Sequence, residues 1–255
     1  MGRYDSSKYR VVPLIEAIKK NPRNFEAFLK TVEGIPDLMC PNDEKDYFYG
    51  DHEKQLKPTK AHLQDLVRYI SKKRFDKIPN TSKKREALYG MYGDAEREKA
   101  KNEALDLIDA VYDEPILPKA WYIFEGSTNP DIYIEGDCYI ILCEGKWTEP
   151  HITEKTTHLK EKDEQRNQMI RHIQGALHAT EKKVYAFYIA DADCGYTDKL
   201  TKSALAEQIE NETIQPEEKN EILASFYGYT TWQKIKENIP SVQFFNQKEI
   251  DWLKS

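Results

Sequence analysis

The stretch KVYAFYIAD (183–191) limits the architecture more than any other part of the chain, because every side chain from Val184 to Ala190 is apolar or aromatic. A strand with one wet face would alternate; this one does not, so it must lie inside a sheet covered on both sides. The flanking pattern supplies the covers. Upstream, EKDEQRNQMIRHIQGALHAT belongs to a helix expected over about 157–180, with Met169, Ile170, Ile173, Ala176 and Leu177 as its apolar stripe. Before it come three runs rich in aromatic and β-branched residues, WYIF (121–124), DIYIE (131–135) and CYIILCEGK (138–146). Gly136-Asp137 predicts a tight hairpin turn between the last two, although Gly-Asp is a weaker signal than Asn-Gly. A further helix is expected from Asp94 through Val111, with Asp94 as N-cap and Ala100, Ala104, Leu107, Ile108 and Val111 on its apolar face. The order helix, strand, strand, strand, helix, strand implies an α/β fold with a mixed central sheet flanked by helices.

This core is expected over 89–192. Residues 1–88 read as an N-terminal helical accessory region: short helices around Val12–Ile18 and Phe25–Leu29, an aromatic, acidic loop around DEKDYFYGD, and a helix from Thr59 to Lys73 burying Leu63, Leu66, Val67 and Ile70. Residues 193–255 read as a C-terminal helical extension packing on the core. It includes LTKSALAEQIENE and PEEKNEILASFYG, with SVQFF as a short edge strand.

No run approaches the roughly 20 apolar residues of a membrane span, and the N-terminus lacks the apolar segment of a secretory signal. A cytoplasmic protein without membrane contact is expected. The four cysteines, Cys40, Cys138, Cys143 and Cys194, form no CxxC pair, so reduced thiols are expected rather than zinc ligands. The net charge of −6 opposes a nucleic-acid partner, but residues 54–85 carry eleven Lys/Arg against Asp65 and Asp76. Such a stretch is either a phosphate-binding footprint or a solvated helix face.

The strand at 138–146 ends in Glu-Gly-Lys, where an inward face should stay greasy. With alternation, Asp131, Leu142, Glu144 and Lys146 share one face of the hairpin. The predicted turn makes Asp131 a diagonal neighbour of Glu144, roughly 7–8 Å away between backbones. Asp137 lies at the turn, roughly 20 Å along the strand from Glu144 at about 3.3 Å per residue, and is set aside. Two carboxylates there suit a hard divalent ion such as Mg²⁺, and Lys146 beside them could stabilise developing negative charge.

Pro130-Asp131, twelve residues, then Glu144-Gly145-Lys146 resembles the motif of the PD-(D/E)xK nuclease superfamily, whose members have the restriction-endonuclease-like fold. The likeness covers about residues 93–191. It implies a metal-dependent nuclease hydrolysing phosphodiester bonds, with DNA the expected substrate, through a metal-activated water. Asp131 and Glu144 would be metal ligands and Lys146 the catalytic lysine. Mg²⁺ would be the cofactor, with Mn²⁺ able to substitute. Relatives add a glutamate from the preceding helix in a context similar to GDAERE and Gly126-Ser127, which points to Glu96 as a further metal ligand, with Glu103 as fallback. A glutamine early in the following helix is similarly implied, Gln168 before Gln165, and Arg166 could reach the cleft. His172 has no evident partner and reads as structural; His151 and His158 are assigned no metal role. A homodimer is compatible with this reading. The alternative is a non-catalytic nucleic-acid- or protein-binding module on the same fold.

Overall fold

The computed structural model describes residues 7–72, 83–114, 127–147, 167–210 and 216–245. Its centre is a five-stranded mixed sheet in the order β1-β2-β3-β4-β5. The strands are β1 (Tyr47–Tyr49), β2 (Ile132–Glu135), β3 (Tyr139–Gly145), β4 (Lys183–Ala190) and β5 (Phe226–Thr231). β1 and β3 both run antiparallel to β2, while β3, β4 and β5 are parallel.

Alternation divides the two central strands between two cores. Ile141, Cys143, Phe187 and Ile189 point to one side, into a cluster with Leu14, Ile15 and Ile18 of α1 (Val12–Lys20), Phe25 and Phe28 of α2 (Pro22–Leu29), and Trp232 and Ile235 of α9 (Trp232–Asn238). Ile140, Leu142, Ala186 and Tyr188 point to the other, against Met169, Ile170, Ile173 and Ala176 of α6 (Gln168–Ala179), Leu205 of α7 (Lys202–Glu210) and Ile222 of α8 (Pro216–Ser225). At about 1.5–3 kcal/mol for each large apolar side chain fully buried, these two clusters hold the layers together. Local chemistry starts the helices. Asn21 accepts a hydrogen bond from the Arg23 amide (3.2 Å) and Pro22 opens α2, while Asn167 accepts from the Met169 amide (2.7 Å) at the start of α6.

A third cluster is built separately from α3 (Lys60–Lys72), α4 (Lys83–Leu88) and α5 (Asp94–Val111), through Leu63, Leu66, Val67, Ile70, Leu88, Ala104 and Ile108. The chain leaves for it after Leu56 and returns at Thr128, and these two residues exchange backbone hydrogen bonds of 2.9 Å each. The expected division at residue 88 therefore does not follow the packing: α1 and α2 cover the sheet, while α5 belongs with α3 and α4.

Three other expectations are corrected. The aromatic, acidic loop contains an edge strand, β1, paired with β2. The helix expected through SFYG stops at Ser225, and β5 begins at the next residue. Its alternation is broken because Gly228, at φ +82°, stands where Phe226 and Tyr229 pair with Ala186 and Tyr188, three steps against two. SVQFF forms no strand. The strand expected at 121–124 lies outside the described residues, as does the first part of the helix expected from 157. Among the described residues no helix is long and apolar enough to cross a membrane.

Candidate functional site

The β2–β3 turn is Asp137-Cys138, closed by the Gly136 amide donating to the Tyr139 carbonyl (3.0 Å), rather than Gly136-Asp137. Pairing therefore slides by two residues from the expected register: Ile132 stands opposite Cys143 and Glu135 opposite Ile140. An even slip preserves which face each side chain takes. Extended by one residue, it sets Asp131 directly across from Glu144 instead of diagonally. Asp131 Oδ2 accepts the Gly145 amide at 2.7 Å, which pins the two chains together at that end.

Glu144 and Lys146 are each only 4 % exposed. Lys146 Nζ donates to Glu144 Oε1 at 2.7 Å. On its other oxygen Glu144 meets His172 Nε2 at 3.0 Å, and His172 Nδ1 lies 2.9 Å from Thr128 Oγ1. Burial alone would raise the Glu144 pKa, but Lys146 and His172 outweigh it and hold the carboxyl at about 2. Burial lowers the pKa of His172 despite Glu144, so the ring is neutral, donating from Nε2 to the carboxylate and accepting the Thr128 hydroxyl at Nδ1. Asp131 is pushed the other way: burial, then the charge on Glu144, raise its carboxyl well above the usual range. Two carboxylates share one ammonium, and their affinities for protons move apart.

Gly145 explains the middle of the Glu-Gly-Lys run. A Cβ there would come within 3.2 Å of the Trp232 ring, 3.3 Å of Asp131 Oδ2 and 3.4 Å of Val11. The Trp232 indole also donates to the Lys146 carbonyl (2.8 Å), and the Lys146 amide donates to the Ile189 carbonyl (2.7 Å). The backbone carrying Lys146 is thus held from β4 and from α9.

Asp131, Glu144 and Lys146 are brought together. Gln168 opens α6, partly exposed, one turn before His172 and hence on the face that reaches Glu144. Glu96 and Glu103 are not brought to the hairpin: both are exposed on α5, which packs on α3 and α4, and Glu103 pairs with Lys84 (3.9 Å). Gly126, His151, His158, Gln165 and Arg166 lie outside the described residues. Sequence reasoning missed the partners of His172, which lie 28 and 44 positions away. It also passed over Glu53. Followed outward from the Leu56–Thr128 bridge, the antiparallel register runs Glu53 toward Asp131, and its charge helps hold the Asp131 carboxyl up. Only the acidic flank of β1 could have hinted at it.

Among the described residues no group of three or more His, Cys, Asp or Glu side chains is arranged to hold a metal ion. Asp131 and Glu144 nevertheless form a donor pair of the chemistry Mg²⁺ prefers, with water and phosphate oxygens completing its shell. Burial first, and the Glu144 charge second, raise the affinity of Asp131 for a proton, and a cation held there would favour its ionised form.

His172→Ala would strand Glu144 Oε2 and the Thr128 hydroxyl in a buried site. We expect a stability loss of about 1–3 kcal/mol, read as a lowered urea midpoint; an unchanged midpoint would remove His172 from the support of Glu144.

Comparison with protein-family models, curated proteins and solved structures finds no match to this chain.

Proposed function

We propose that the chain is a metal-dependent nuclease of the PD-(D/E)xK type on a restriction-endonuclease-like core, hydrolysing phosphodiester bonds in DNA. The observation that carries this reading is the opposition of Asp131 and Glu144 at one end of the β2–β3 hairpin, with the Lys146 ammonium 2.7 Å from Glu144. A helix and a parallel strand follow the hairpin, as the resemblance in the sequence requires.

Asp131 and Glu144 would hold Mg²⁺ or Mn²⁺, which when bound supplies Lewis acidity to a phosphoryl oxygen and makes a water nucleophilic near neutral pH. Lys146 places a fixed positive charge where the attacked phosphate gains negative charge. In a buried setting that charge is screened little by solvent and needs no reorganisation. His172 and Thr128 keep Glu144 in one orientation. Gln168 stands at the helix start beside them, able to donate to substrate oxygens. Glu53 takes the place expected of Glu96 as the acid that adds charge to the pair.

Part of the basic stretch is occupied within the protein. Lys60 pairs with Asp109 (2.9 Å) and Arg68 with Asp65 (2.8 Å), while Lys54 lies over the Phe48 and Tyr133 rings at 4.5 and 5.4 Å. The charge run therefore supports DNA binding less strongly than its composition suggests.

The test is conversion of supercoiled plasmid to nicked circles with Mg²⁺ or Mn²⁺ and its absence in EDTA, with RNA digested alongside. One feature favours a non-catalytic binding module: both oxygens of Glu144 already have partners inside the protein. Nucleic-acid binding indifferent to Mg²⁺, with no nicking, would select that reading. Glu53→Gln is expected to weaken Mn²⁺ binding about tenfold, a size typical of residues supporting metal ligands. Titration calorimetry showing wild-type affinity would exclude Glu53 from the site.

A further inference from the structure

Arg10 lies in a π-helical turn, Ser7–Val11, a rare backbone form that concentrates at functional positions. Its guanidinium carbon sits 4.2 Å from the centroid of Trp147 and 5.1 Å from that of Phe244. Trp147 directly follows Lys146, and Val11 packs against Gly145. Arg10 also feels the charge of Asp191, the residue after β4, and Ile189, two residues earlier in β4, accepts the Lys146 amide. The arginine is therefore held at the same end of the sheet as the Asp131, Glu144 and Lys146 set.

Its chemistry is unfinished. Burial disfavours the charge, only partly offset by Asp191, and among the described residues its buried Nε has no hydrogen-bond acceptor. Asp191 in turn accepts from Gln233 (2.9 Å). Stacking fixes the plane of the fork without satisfying its donors, and a planar fork of that kind matches two oxygens of a phosphate. We propose that Arg10 is a substrate-binding residue that takes a backbone phosphate of the DNA strand next to the one being cleaved. This rests on the nuclease reading for its ligand but not on catalysis.

The test is anisotropy of a fluorescein-labelled DNA duplex with the full chain in EDTA across a salt series. Arg10→Gln is expected to bind about tenfold more weakly, with the log–log salt slope reduced in size by about 1. Arg10→Lys should keep the slope but bind several-fold more weakly, because an ammonium lacks the fork. Wild-type affinity in both variants overturns the proposal, as does failure of the wild-type chain to bind DNA at all. If Arg10→Gln does not fold by its thermal melt, wild-type affinity in Arg10→Lys alone overturns it. Failure of the nuclease reading looks different: the Arg10 effects persist in EDTA while plasmid stays uncut with Mg²⁺.

Discussion

Lys146→Ala is expected to reduce Mg²⁺-dependent plasmid nicking by about 10²–10³-fold, the loss seen when one fixed electrostatic group is taken from a transition state. DNA affinity in EDTA should change far less, because in the ground state the Lys146 charge is matched by Glu144 at 2.7 Å and its stabilisation is realised mainly as the phosphate gains charge. The substitution also breaks a buried pair. Glu144 would keep His172 but lose its charge partner, and removing one member of such a pair typically costs about 3–5 kcal/mol. A folding control is therefore essential, and Glu144→Gln with Lys146→Met supplies it by removing both charges at once. That double variant should recover much of the stability and none of the nicking. Nicking at the wild-type rate in folded Lys146→Ala would end the nuclease proposal.

How much of this site could be read beforehand follows from what each signal depends on. The faces of Asp131, Glu144 and Lys146 follow from the two-residue period of a strand, which survives a register error of two; the distance between Asp131 and Glu144 does not, and the turn was one residue off at each side. β4 was legible because a continuous apolar run has few other uses. β1 was hidden by its length of three residues, and β5 by a bulge at Gly228 that removes alternation. Glu96 illustrates a different failure. A helical stripe shows that a helix packs, but not on what, and α5 packs on α3 and α4 rather than on the sheet. The two acids flanking Asp131 in space, Glu53 and Glu144, arrive from opposite sides in sequence, and only the Leu56–Thr128 bridge discloses the former.

Trp232→Ala should cost about 3–5 kcal/mol, the usual range for emptying a large buried aromatic site. That is a large share of the roughly 5–15 kcal/mol by which a folded domain exceeds its unfolded chain. The ring is 1 % exposed, meets Phe244 edge-on with centroids 5.5 Å apart, and fills the space above Gly145 that a Cβ would invade. It does two separable things, since its indole also donates to the Lys146 carbonyl at 2.8 Å. Trp232→Phe retains most of the volume and loses that bond, so it should be destabilised by only about 1–2 kcal/mol while cleavage slows at saturating substrate. The mechanism behind the slowing is positional: the carbonyl of Lys146 is released on one side, and the residue that must face the phosphate is no longer fixed from α9. Urea unfolding of the three proteins, together with single-turnover cleavage, separates packing from positioning. Equal cleavage rates for Trp232→Phe and wild type would show that Lys146 stays in place without the indole bond from α9.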